Sequence, residues 1–124
     1  MYSNNAYNTY SQNNVGVESP QKLIQMLFEG VLRFNTLAKN AISKGDVEKR
    51  TYWVNRSNAI FAELISTLDF NQGDISHYLN GLYSYQMKEL SLANMENDPT
   101  KLDEVNNVVK GLLDAWREVN DVAQ

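Results

Sequence analysis

SPQKLIQMLFEGVLRFNTLAKNAISKG, residues 19–45, is the stretch on which the fold turns. Ser19-Pro20 is a helix start. A serine hydroxyl accepts a hydrogen bond from a free N–H of the first turn, and proline at the first helical position gives up an N–H that had no partner anyway. Apolar residues then recur at helical spacing: Leu23, Leu27, Gly30, Phe34, Ala38 and Ala41, with Ile24, Phe28, Val31 and Ile42 alongside. Lys44-Gly45 is the stop, a cation in the last turn with a glycine just past it.

The same grammar repeats three times. Asp46 caps a second helix carrying Val47, Val54, Phe61, Ile65 and Leu68 on one face, with Trp53, Ile60 and Leu64 beside them. Asn71-Gln72-Gly73 breaks the chain. Asp74 opens a third helix with Ile75, Leu79, Leu82, Gln86, Leu90 and Ala93 on one face; Tyr78, Tyr85 and Leu92 border it on one side, Tyr83 and Met87 on the other. Asn97 ends it, and Asp98-Pro99 repeats the cap-then-proline signal. The fourth helix carries Leu102, Val105, Val109, Leu112, Trp116 and Val119, with Val108, Leu113, Ala115 and Val122 adjacent. The predicted helices cover about residues 20–44, 47–69, 75–96 and 99–122. Short connections between helices of similar length predict an all-α, antiparallel, up-down-up-down four-helix bundle at residues 19–124. No segment alternates polar and apolar for long enough to be a strand.

Residues 1–18 differ. They are rich in Asn, spaced by Tyr2, Tyr7 and Tyr10, and uncharged before Glu18. They read as an N-terminal arm, flexible or with a short helical turn, unable to build a core alone. With no cationic n-region and no apolar h-region the N-terminus does not read as a signal peptide, and no run approaches the roughly 20 apolar residues of a membrane span. The expectation is a soluble, cytoplasmic protein, and Asn55-Arg56-Ser57 is a chance sequon.

Composition closes off most chemistry. The 124 residues contain no cysteine and one histidine, which excludes disulfides, thiolate metal sites and cysteine nucleophiles. A net charge of −4 argues against nucleic acid as a partner. Asp74 and His77 form an Asp-x-x-His step faintly like that of di-iron bundles, but the second copy and further carboxylates of such a site are absent, so His77 reads as a surface or core-edge histidine. Asp103, Glu104, Asp114 and Glu118, diluted by Lys110 and Arg117, read as a solvated face. So do Lys44, Lys49, Arg50 and Arg56, which Asp46 and Glu48 interleave. No phosphate loop or nucleophile elbow occurs. The chain is expected to be no enzyme and to need no cofactor or metal.

What remains is apolar surface. A bundle helix needs one stripe a little over 100° wide, and helices two, three and four carry second stripes. Trp53, Tyr78 and Tyr83 are either core-edge aromatics or contacts for the arm, for a second copy or for a foreign peptide.

The assembled residues resemble the flagellin secretion chaperone family, FliS. Tyr7 and Tyr10 open the match. Glu18-Ser19-Pro20-Gln21-Lys22-Leu23-Ile24-Gln25-Met26-Leu27-Phe28-Glu29-Gly30 is similar to the family signature Ala-Ser-Pro-x-x-Leu-Ile-x-Met-Leu-Tyr-Asp-Gly. Leu82-Tyr83-Ser84-Tyr85, followed by Leu90 and Ala93-Asn94, resembles the third-helix motif, and Ala115-Trp116 fits near the C-terminus. Glu18 replaces the usual alanine and Phe28-Glu29 replaces Tyr-Asp, which removes a hydroxyl at position 28. The resemblance implies a cytoplasmic chaperone that binds the disordered C-terminal segment of flagellin, prevents premature polymerisation and delivers the subunit to the export gate of the flagellar type III apparatus. It leaves open a co-chaperone or regulatory protein as a further partner.

On that reading the second stripes are apolar grooves for an amphipathic client helix. Trp53, Ile60 and Leu64 would line one. Tyr78, Tyr83 and Met87 would contribute to another, extended by Val108 and Leu112. Tyr7 and Tyr10 would act as a tethered latch over the same surface or as client contacts. The alternative is a self-associating helical adaptor whose wide faces form a homodimer seam.

Overall fold

A computed structural model describes residues 19–123, with side-chain surroundings to residue 120. Ser19 is extended and its side chain accepts from the Lys22 N–H at 3.1 Å, so α1 (Pro20–Ser43) starts on a satisfied donor. Ser19→Ala should lower the unfolding free energy by about 1 kcal/mol, read as a shift in urea midpoint at constant slope. Lys44 caps the other end, and Gly45 follows in the left-handed region at φ 68°. Asp46 then accepts from the Lys49 N–H at 3.0 Å and opens α2 (Val47–Ser66). A single 3-10 turn (Phe70–Gln72) and Gly73 lead into α3 (Asp74–Glu96). Gly73 sits at φ 89°, ψ −156°, a conformation open in practice only to glycine. Asn97, left-handed at φ 56°, ends α3, and Asp98 accepts from the Thr100 N–H at the start of α4 (Pro99–Ala123).

The helices form a ring. α1 touches α2 and α4, α3 touches α2 and α4, and no diagonal pair is in close contact. With every connection short, this is an antiparallel four-helix bundle, and there is no strand among the described residues. Phe61, Leu64, Leu90, Leu102, Val105 and Val31 are the fully buried centre. A helix in such a ring must bury two adjacent flanks, one per neighbour. That is why the second stripe of α2 lies inside: Ile60 is 7 % exposed and Leu64 0 %.

Three details of the expected core faces change. Val47 is exposed in the first turn of α2, at the very end of the bundle. On α3 the buried positions are Ser76, Tyr83, Gln86, Glu89, Leu90 and Ala93, so Ile75 and Leu82 leave the core face and Tyr83 joins it. On α4 the buried run is Leu102, Val105, Val109 and Leu113; Leu112 and Trp116 are half-buried and Val119 is exposed. The α4 shift and that of Ile75 and Tyr83 share one cause, a groove that opens between these helices at one end of the bundle.

Two polar clusters tie helices together away from that groove. Asn35, fully buried on α1, accepts from the Ser57 hydroxyl of α2 at 2.6 Å and donates its amide to Asn106 of α4 at 2.9 Å. Arg50 of α2 donates to Asn94 at 2.7 Å and to Asn97 at 2.8 Å, fastening the start of α2 to the end of α3. Arg50 is therefore a structural tie and not part of a solvated basic face. Lys39 pairs with Asp103, and Arg117 with Glu29 at 2.8 Å, across the α1–α4 seam.

Candidate functional site: an apolar groove at one end of the bundle

In an antiparallel ring the start of α1, the end of α2, the start of α3 and the end of α4 meet at one end. There the chain encloses an open groove of about 610 Å³ whose walls are overwhelmingly apolar. α1 supplies Ile24 and Phe28, the turn after α2 supplies Leu68, α3 supplies Ile75 and Leu79, and α4 supplies Leu112, Trp116 and Val119. α1, α3 and α4 each contribute residues one turn apart, so those walls are ridges running along the helix axes, suited to the side chains of another helix.

Local hydrogen bonds hold those walls. The Trp116 indole N–H donates to the Gln21 carbonyl oxygen at 3.0 Å, which locks the ring against the first turn of α1. The Ser76 hydroxyl donates to the Asp69 carbonyl at 2.7 Å, and the Asp69 carboxylate accepts from the Asn71 N–H, so the 3-10 turn is fixed against the start of α3. His77 lies outside the groove with its ring 5.2 Å from that of Phe70. No grouping of three or more His, Cys, Asp or Glu able to hold a metal occurs among the described residues.

Tyr83 forms the inner end of the groove. It is 4 % exposed and tilts against Phe61 with ring centroids 6.0 Å apart. Burial disfavours the phenolate and pushes its pKa from 10.0 up to about 12. An unfolded chain releases this proton near pH 10 while the folded chain retains it. Stability is therefore unaffected below pH 10 and falls as pH rises through the window from 10 to 12. Ultraviolet titration should find a step of one tyrosine's amplitude near pH 12, and Tyr83→Phe should remove it.

The ten residues singled out from the sequence fall in several places. Tyr83 and Leu112 line the groove. Met87 and Val108 lie about one turn further along the same two helices, half-buried. Tyr78 is 64 % exposed on the outside of α3. Trp53 stands elsewhere, stacked on Phe34 at 5.4 Å. Ile60 and Leu64 are core residues, so they do not form an open groove with Trp53. Tyr7 and Tyr10 lie outside the described residues. The sequence reading missed the groove role of Leu68, Ile75, Leu79, Trp116 and Val119, which it assigned to core faces. The signal was present in the α4 stripe, which continues past Val109 along two helical tracks, Leu112-Trp116-Val119 and Leu113.

Comparison with known proteins places this architecture. Residues 3–123 match the family model described as flagellar protein FliS. The chain is 57 % identical over 122 residues to the flagellar secretion chaperone FliS of Campylobacter jejuni, covering 98 % of this chain and 95 % of the relative. It is 35 % identical over 118 residues to the protein of the same name in Bacillus subtilis (95 % and 88 % covered), and 30 % identical over 131 residues to that of Salmonella typhimurium (99 % and 96 % covered). No helix among the described residues is long and apolar enough to cross a membrane. A match over nearly the whole length, on a four-helix scaffold, makes this chain a member of the FliS family.

Proposed function

We propose that the chain is a cytoplasmic export chaperone whose end groove receives an amphipathic helix from the C-terminal segment of flagellin. The binding keeps the segment from polymerising and delivers it to the export gate of the flagellar type III apparatus. The observation that carries this is the groove itself: an open, ridge-walled apolar cleft of about 610 Å³ in a chain whose relatives are named flagellar secretion chaperones. The reading involves binding and no catalytic step.

The energetics favour such a site. Ordering a disordered client costs about 2–5 kcal/mol of gross interaction energy, and apolar side chains entering Ile24, Leu79, Leu112 and Trp116 offset it through area removed from water. Client anchors at i, i+3, i+4 and i+7 would meet the ridges of α3 and α4 together. The exposed tyrosine Tyr78 and half-buried Met87 and Val108 extend the contact along the same helices, and Tyr7 and Tyr10 on the arm either cover the groove before the client arrives or join the client in it.

Calorimetry of this chain against the C-terminal segment of a flagellin from the same cell tests the reading. Binding with a large negative heat-capacity change supports it; no heat under folded, reversible conditions sinks it. Light scattering on the same samples addresses the self-associating adaptor: a stable dimer indifferent to the peptide would favour that reading.

A further inference from the structure

Outside the groove, α1 and α2 build a second surface of different chemistry. Phe34 stacks on Trp53 with 26° between the ring planes, and Tyr52 meets Trp53 edge-on at 4.8 Å. Two guanidiniums close on this stack. That of Arg33 lies 5.1 Å from the Phe34 centroid; that of Arg56 lies 4.9 Å from it and 5.8 Å from the Tyr52 centroid. Arg56 also donates to the Tyr52 hydroxyl at 2.9 Å. Both arginines and Tyr52 are exposed, and Trp53 is half-buried. Arg117, Lys39 and Lys101 each have a carboxylate partner, whereas among the described residues Arg33 and Arg56 have none.

A guanidinium stacked on a ring uses its face and keeps its N–H edge for an in-plane acceptor, the geometry that receives a carboxylate through two hydrogen bonds. Arg56 gives one N–H to Tyr52 and keeps the others; the two guanidiniums, within 5.1 and 4.9 Å of the same phenyl centroid, form a site of positive charge on a chain whose net charge is −4. That contrast makes the patch selective: an acidic ligand is repelled by the rest of the surface and held at one place. Residues 1–17 carry no carboxylate, and Glu29, one turn before Arg33, is engaged by Arg117.

We propose that Arg33, Arg56, Tyr52 and Trp53 form a docking site for an acidic helical segment of a partner protein. Two carboxylates one turn apart would meet the guanidiniums, and an apolar residue between them would rest on the Tyr52–Trp53 edge. The site is independent of the groove and of the flagellin reading.

The test is a titration of the isotopically labelled full chain, followed by nuclear magnetic resonance. The ligand is an alanine-based helical peptide carrying Glu at i and i+4 around a leucine. Its twin has Gln at both positions. The expected result is saturable shifts of the Arg33 and Arg56 Nε–H and Trp53 indole N–H signals with the Glu peptide, weakening with added salt and absent with the twin. Arg33→Gln with Arg56→Gln, at two exposed positions, should lower affinity about tenfold or more. Arg33→Lys with Arg56→Lys should restore only part, because lysine keeps the charge and loses the planar fork. Equal shifts with both peptides, or unchanged affinity in the Gln variant, would overturn the proposal. So would shifts of this patch that follow protein concentration without peptide, which would make the occupant a second copy. Shifts confined to the Trp116 indole would report the groove and likewise count against it.

Discussion

Asn35→Ala should lower the unfolding free energy by about 2–4 kcal/mol, a large effect for one polar side chain in a small domain. Asn35 is fully buried and holds α2 through Ser57 at 2.6 Å and α4 through Asn106 at 2.9 Å. Truncation leaves the Ser57 hydroxyl, itself at 0 % exposure, without its acceptor. A buried polar group without a partner costs about 1–3 kcal/mol, and the lost side-chain volume adds a cavity term. The serine can recover part of this by turning back to the carbonyl four residues earlier, which sets the lower bound. Urea denaturation measures the change; a loss under about 1 kcal/mol would show that the three residues act separately.

The paired substitution Asn35→Leu with Ser57→Ala sharpens the point. Replacing Asn35 and Ser57 by apolar groups of similar shape removes the two fully buried polar groups, and Asn106, only half-buried, can turn its freed oxygen to water, so most of the stability should return. What does not return is directionality. Leucine packs against any apolar neighbour, whereas the amide of Asn35 is satisfied only when α1, α2 and α4 stand in one axial register. Amide hydrogen exchange should then show weaker protection around the α1–α4 seam in the paired variant despite near-normal global stability. This seam matters for the groove, because Gln21 and Trp116, whose hydrogen bond holds one wall, belong to the same two helices.

These cases also show which parts of the molecule local sequence chemistry can specify. Helix ends are written in single residues. Ser19 and Asp46 satisfy the first-turn donors of the helices they precede, and Asn97 adopts the left-handed turn that ends α3. The buried face of α1 follows from spacing alone, since Leu23, Leu27, Phe34, Ala38 and Ala41 are all inside. The groove is different because no single helix contains it. On α4 the step from Val109 to the next apolar neighbour is equally helical at Leu112 and at Leu113. Which of them enters the core depends on where α3 stands. Ile75 and Leu79 carry the same ambiguity on α3. For Ile60 and Leu64 the missing fact was the ring arrangement, in which a second stripe serves a second neighbour and not a client. The Arg33–Arg56 patch was invisible for a related reason: positions 33 and 56 become neighbours only when α1 and α2 fold antiparallel.

Ala115→Glu should abolish most client binding while leaving the free protein almost unchanged. Ala115 is exposed yet forms part of the groove wall, between Leu112 and Val119 on α4. Its substitution removes no core contact. Glutamate is a good helix former, and such surface changes usually stay within about 0.5 kcal/mol. In the complex the situation reverses. A client helix seated on Leu79, Leu112 and Trp116 would cover the new carboxylate with apolar side chains, and an ionised group buried without a partner is among the costliest things an interface can contain. The carboxylate escapes only by displacing the client from that ridge. The expected loss is about 2–4 kcal/mol, roughly 30- to 800-fold in affinity for the flagellin segment. Asn107→Glu makes the same change in charge at an exposed α4 position outside the groove lining and should alter affinity less than about twofold. Calorimetry on both variants, with thermal unfolding to confirm equal stability, separates the possibilities. If Ala115→Glu binds as tightly as the unmodified chain, the client does not enter the groove. If Asn107→Glu weakens binding as much, the loss is long-range repulsion, and added salt should then restore both variants alike. A loss confined to Ala115→Glu and insensitive to salt is what desolvation of a carboxylate beneath a seated helix requires.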